Sequence, residues 1–163
     1  MLQPAVIDGL AFARNAAVVE GRLGKELLPR LAQSGCSDPA LHFVLTGAFN
    51  ERGEPGLKLA IEGSVRMQCQ RCLGSLDLQL HLEARLEFAS SEAEITAAED
   101  DIERVVASRE MNVAALVEDE VILALPMVPR HEQCQAAAGA EGGGKASAFQ
   151  ALAALKRSSV SEG

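Results

Sequence analysis

Two neighbouring stretches alternate with period two, and they constrain the fold more than anything else in the chain. Leu57, Leu59 and Ile61 alternate with Lys58 and Glu62 within residues 57–67. Leu76, Leu78, Leu80 and Leu82 alternate with Asp77, Gln79, His81 and Glu83 within residues 75–88. Successive side chains of a strand point to opposite faces, so each stretch has one apolar and one wet face. That is the pattern of an antiparallel sheet covered on one side. The sequence Cys69-Gln70-Arg71-Cys72-Leu73-Gly74 joins the two stretches and therefore lies at a hairpin tip.

The remaining elements follow from weaker signals. Residues 5–15 suit a short amphipathic helix, 17–23 and 41–49 suit strands, and 25–33 suits a helix with Leu27, Leu28 and Leu31 on one side. Residues 89–101 are small and acidic and read as a loop, with a further strand over 102–108. Asn112 is placed to cap a helix over 113–125, which Pro126 and Pro129 stop. Residues 135–148 have linker composition, and a C-terminal helix is expected over 149–157. The expected architecture is α+β. An antiparallel sheet of about five strands packs against two or three helices in a core domain over residues 1–134.

Composition sets limits on function. Of the 163 residues 48% are hydrophobic, but there are five Phe and no Trp or Tyr, so the core is aliphatic. The net charge is −8 and is concentrated: residues 91–130 carry 3 basic and 10 acidic side chains. Nucleic-acid binders cluster Lys and Arg on the phosphates and stack bases on aromatic rings. This chain has neither device, so a basic protein partner is expected rather than direct nucleic-acid binding. Residues 1–15 lack a basic start and carry Asp8, and no apolar run reaches the length of a membrane span. The expectation is a cytoplasmic protein with no membrane association. In that reducing setting cysteines serve as thiols or metal ligands.

Cys69 and Cys72 form a C-x-x-C unit followed by Gly74, and His131 and Cys134 repeat the spacing after 58 intervening residues. Tetrahedral zinc takes four such ligands, so Cys69, Cys72, His131 and Cys134 are candidates for one structural zinc. The competing reading makes Cys69 and Cys72 small apolar residues at the end of a hairpin. A thioredoxin-like redox pair would start a helix, whereas a strand follows here. There is no nucleophile motif, phosphate-cradling glycine loop or paired-carboxylate site, so no catalysis is expected.

The 113–125 helix contains Glu118-Asp119-Glu120. At 100° per residue Val113, Leu116, Val117, Val121 and Ala124 share a stripe that includes Glu120. A carboxylate on such a face needs a cation, and Arg71 or Arg66 is the expected partner. Arg71, Glu118, Asp119 and Glu120 are also the candidates for binding a partner.

CQRCLG at 69–74, LVEDEVILALPMVPRH at 116–131 and AFQALAALK at 148–156 together resemble the bacterial YceD family, the large ribosomal RNA subunit accumulation proteins. The resemblance implies a role in synthesis, processing or stability of large-subunit (23S) ribosomal RNA, without an assigned catalytic residue. Genes of this family often neighbour those of a ribosomal protein and a phospholipid-synthesis enzyme. Three readings result: a ribosome-biogenesis factor acting through contacts with a ribosomal protein or processing factor, an adaptor or regulator of a phospholipid-synthesis enzyme, or a zinc-stabilised RNA binder using Arg66, Arg71 and Arg85.

Overall fold

The computed structural model describes residues 6–136 of the chain. Most of the linker expected over 135–148 and all of the helix expected over 149–157 lie outside the described residues. In chain order the elements are β1 (Val6–Ile7), α1 (Gly9–Arg14), β2 (Val18–Leu23), a 3-10 turn (Lys25–Leu27), α2 (Pro29–Gln33), β3 (Ser37–Phe49), β4 (Pro55–Gln68) and β5 (Ser75–Ala89). They continue with α3 (Glu92–Ala97), β6 (Arg104–Val106), β7 (Met111–Asn112) and α4 (Val113–Ala124).

The main sheet has the order β2-β3-β4-β5-β6, and β1 pairs with β7 in a separate two-stranded ribbon. The β4–β5 hairpin runs in unbroken register from Gly56 opposite Glu87 to Gln68 opposite Ser75. Its alternation does what the sequence implies. Leu57, Leu59, Ile61, Leu80 and Leu86 are buried, while Lys58, Glu62, Asp77, Gln79, His81 and Glu83 are exposed. The core lies on the apolar face, where these residues and Leu41, Phe43 and Leu45 of β3 meet Leu31 of α2 and Val113, Val117 and Val121 of α4. Full burial of each such side chain contributes roughly 1.5–3 kcal/mol. α1 crosses β3 so closely that a Cβ at Gly47 would run into the Phe12 carbonyl oxygen, which explains a glycine in mid-strand.

Three expectations are corrected. The sheet is mixed rather than purely antiparallel, because β6 lies parallel to β5, with Glu87 opposite Arg104. Parallel neighbours need a crossover, and α3 is part of it, within a stretch read from sequence as a loop. Ser91 caps α3 by accepting the Glu94 N–H, and the Glu94 carboxylate accepts the Ser90 N–H at 2.8 Å. The helix expected over 25–33 is also broken. Leu28 has φ −128° and ψ 60°, since the following Pro29 disfavours a helical conformation there.

The third correction concerns α4, which is rolled about its axis relative to the expected stripe. Its buried residues are Val113, Ala114, Leu116, Val117, Glu118 and Val121, whereas Ala124 is exposed and Glu120 half-buried. The carboxylate inside the interface is therefore Glu118. Arg66 is not available to Glu120, because it pairs with Asp77 and Asp38, each at 2.8 Å. Asn112 caps α4 as its position suggested, accepting the Ala115 N–H at 3.1 Å. No helix among the described residues is long and apolar enough to cross a membrane.

Candidate metal centre

The turn between β4 and β5 is held by its own backbone. Cys69 N–H donates to Gly74 O and Leu73 N–H donates to Cys69 O, both at 2.9 Å. Leu73 sits in the left-handed region at φ 61°. After α4 the chain turns at Pro126 and passes the hairpin tip, where Gln70 N–H donates to Pro129 O at 2.8 Å. This contact joins residues far apart in sequence and carries His131 and Cys134 to the two thiols of the tip.

The ligand-type atoms of Cys69, Cys72, His131 and Cys134 all lie within 4.8 Å of one another. Cys69 Sγ is 3.7 Å from Cys134 Sγ, and Cys72 Sγ is 3.4 Å from His131 Nδ1. The other ring nitrogen, His131 Nε2, lies 2.9 Å from the Ser75 carbonyl oxygen. A carbonyl only accepts, so Nε2 carries the proton and Nδ1 turns its lone pair toward the thiols. His131 N–H and Arg71 N–H donate to Cys69 Sγ at 3.4 and 3.5 Å.

Cys69 is 0% exposed. Burial pushes its thiol up, but N–H groups of Cys72, His131 and Arg71, together with the Cys72 thiol, outweigh this and bring it down to about 5. Cys134 moves the other way, pushed up by burial and by the two neighbouring sulfurs. The lowering at Cys69 favours the thiolate, the form that ligates metals. Cys36, the fourth cysteine, is buried in the core apart from this group.

Arg71 lies beside the cluster and is half-buried. Its Nη1 donates to Cys134 O at 3.1 Å, so the side chain bridges the hairpin tip and the segment after α4. Glu118 is 2% exposed, and its carboxylate is fully engaged inside the protein, which removes it from an accessible partner surface. Asp119 is exposed and pairs with Arg30 Nη1. Glu120 makes no ion pair among the described residues. Burial, then Glu103 and Asp119, push its carboxyl above the ordinary carboxylate range. Arg30, the partner of both Glu118 and Asp119, gave no sign in the sequence beyond Pro29 opening a helix that has no capping side chain before it.

Large apolar side chains stand exposed at the end of α4, in the residues just after it, and in the hairpin tip. Met127 is 95% exposed, Leu123 77% and Leu73 at the hairpin tip 59%, with Val128 also exposed. The arginines expected to form an RNA contact do not gather. Arg66 is engaged by two carboxylates, Arg71 by Cys134, and Arg85 stands opposite Lys58 near the far end of the hairpin.

The family model described as "Large ribosomal RNA subunit accumulation protein YceD" matches residues 57–156, which include the hairpin tip, α4 and the segment carrying His131 and Cys134. No solved structure matches the chain.

Proposed function

Since the chain belongs to the YceD family of large ribosomal RNA subunit accumulation proteins, we propose that it is a non-enzymatic, cytoplasmic ribosome-biogenesis factor that supports large-subunit ribosomal RNA through contacts with a protein. The observation that carries the protein-contact reading is the exposure of Leu123 and Met127 at and just after the end of α4, and of Leu73 in the hairpin tip that the following Pro129 contacts. Exposed apolar side chains concentrated in one region mark interaction surfaces. A basic partner, such as a ribosomal protein or processing factor, suits the acidic crossover, where Glu92, Glu94, Glu99, Asp100, Asp101 and Glu103 are all exposed. Direct RNA binding has less support, because the arginines near the tip are engaged internally.

The test is genetic. In cells lacking the gene, large-subunit rRNA should fall relative to small-subunit rRNA, and the wild-type chain should restore it. The double variant Leu123→Asp, Met127→Asp should keep the wild-type unfolding midpoint but fail to restore the ratio. An unchanged rRNA ratio on loss of the gene overturns the biogenesis reading. Full rescue by the double variant, or tight salt-resistant binding of naked rRNA fragments by the purified chain, overturns the protein-contact reading.

A further inference from the structure

We infer that Cys69, Cys72, Cys134 and Nδ1 of His131 bind a single zinc ion that fastens the segment after α4 to the β4–β5 hairpin tip. Four ligand-type atoms from two segments converge, and the distances between them suit one ion. Zinc–sulfur bonds of about 2.3 Å and a zinc–nitrogen bond of about 2.05 Å place tetrahedral ligands roughly 3.8 Å apart for a sulfur pair and roughly 3.5 Å apart for sulfur and nitrogen. The observed separations are 3.7 Å for Cys69 with Cys134 and 3.4 Å for Cys72 with His131 Nδ1. With all four atoms within 4.8 Å of one another, the group is too tight for a four-iron cluster, which spreads its thiolates further apart. Three thiolates and an imidazole in a closed tetrahedral arrangement are a structural zinc set.

The surroundings are those of a metal site. The Nε2 proton of His131 is held by the Ser75 carbonyl, which fixes the ring and its tautomer. Backbone N–H groups of Arg71 and His131 point at the Cys69 sulfur. The Arg71 guanidinium lies alongside and offsets the net negative charge of three thiolates around a divalent ion. A plain hairpin turn accounts for Cys69 and Cys72, but it gives no reason for His131 and Cys134 to turn their ligating atoms toward them.

The experiment uses the full chain, purified under reducing conditions without chelator. Elemental analysis should find one zinc per chain. After chelation, cobalt(II) should restore one ion per chain and give the intense visible ligand-field and sulfur-to-cobalt bands of a tetrahedral thiolate site. Cys69→Ser and Cys134→Ser should lose the ion, while Cys36→Ala, which alters only the core thiol, should keep it. Because the serine variants risk unfolding, His131→Cys provides a second test. It retains four ligands and should still bind one ion, with stronger charge-transfer absorption. Wild-type protein with far less than one zinc and no tetrahedral cobalt spectrum overturns the inference. So does iron in place of zinc. None of these outcomes bears on the rRNA ratio that tests the biological role.

Discussion

Glu118 of α4 caps α2 at Arg30, 88 residues away in sequence. Its Oε1 accepts the Arg30 N–H at 2.6 Å and the Leu31 N–H at 2.9 Å, while Oε2 accepts Arg30 Nε at 2.9 Å. Pro29 occupies the first position of α2 and has no N–H, and Leu28 offers no side-chain acceptor. The next two backbone donors would otherwise be orphaned. A carboxylate at a helix N-terminus also opposes the partial positive charge there. One side chain thus supplies the cap, the ion pair and the lock between two helices.

Glu118→Ala should therefore destabilise the fold by about 2–4 kcal/mol, since it leaves the Arg30 N–H, the buried Leu31 N–H and Arg30 Nε without their acceptor. Glu118→Gln should lose less, because the amide oxygen still accepts. Urea unfolding measures both. A loss below about 0.5 kcal/mol in the alanine variant, the range of an ordinary surface substitution, would show that the cap is not formed in solution.

Glu120→Gln should stabilise the protein at neutral pH. Its folded-state carboxyl is raised by burial and by Glu103 and Asp119, so the ionised form is disfavoured on folding. The gain should shrink as pH falls toward 4.5 and vanish below it, where both states are protonated. Unfolding midpoints of the two proteins across this range test the point. A destabilised variant at pH 7 would instead indicate that Glu120 has a cationic partner.

Acid should act differently at Asp100. Its carboxyl is lowered from 3.8 to about 2, chiefly by hydrogen bonding from Arg104. A depressed folded-state value stabilises above the unfolded value and is lost as pH falls through the folded one. Asp100→Asn should show a lower midpoint than wild type at neutral pH, with the gap closing between pH 3.8 and about 2. A constant gap down to the lower limit would mean that the Asp100–Arg104 pair does not stabilise the crossover.

Gly63→Ala should unfold at markedly lower denaturant, with a loss of about 2 kcal/mol or more. Gly63 has φ +147°, and a Cβ there would strike the Ala40 carbonyl oxygen across the strand pair. Because Gly63 faces Leu80 in the β4–β5 register, hydrogen exchange should accelerate along the whole hairpin. Wild-type protection in the variant would place the strain elsewhere.

With zinc bound at the hairpin tip, chelation should free two specific amides. Gln70 N–H donates to Pro129 O and His131 N–H to Cys69 Sγ, and both bonds depend on the junction. Their exchange protection should collapse on metal removal, while the amides of Ile61 and Leu82 in the ladder stay protected. Equal loss across the hairpin would mean that the ion supports the entire sheet rather than the junction.

The hairpin was legible because Leu57–Ile61 and Leu76–Leu82 follow a strict period of two, which a buried face enforces. The sense of β6 was not, because strand pairing direction depends on what lies between the strands. The local signal for α3, Ser91 three residues before Glu94, is short and lies in an acidic stretch. The roll of α4 was hidden for a different reason. Helical periodicity puts Glu120 on the apolar stripe and Glu118 beside it, and only the uncapped start of α2 selects Glu118. The four residues of the candidate metal centre were visible as two spaced pairs. Their convergence depends on where the chain runs after Pro126, which no local pattern encodes.

Hydrogen bonds from Gln70 N–H to Pro129 O and from Arg71 Nη1 to Cys134 O fasten the segment after α4 to the hairpin tip. Residues 125–134 are thereby tethered at both ends, to α4 and to the tip. A loop held at both ends has fewer conformations to lose when a partner lands on it than a free one has. The junction therefore offers Met127 to a partner with part of its ordering cost already met.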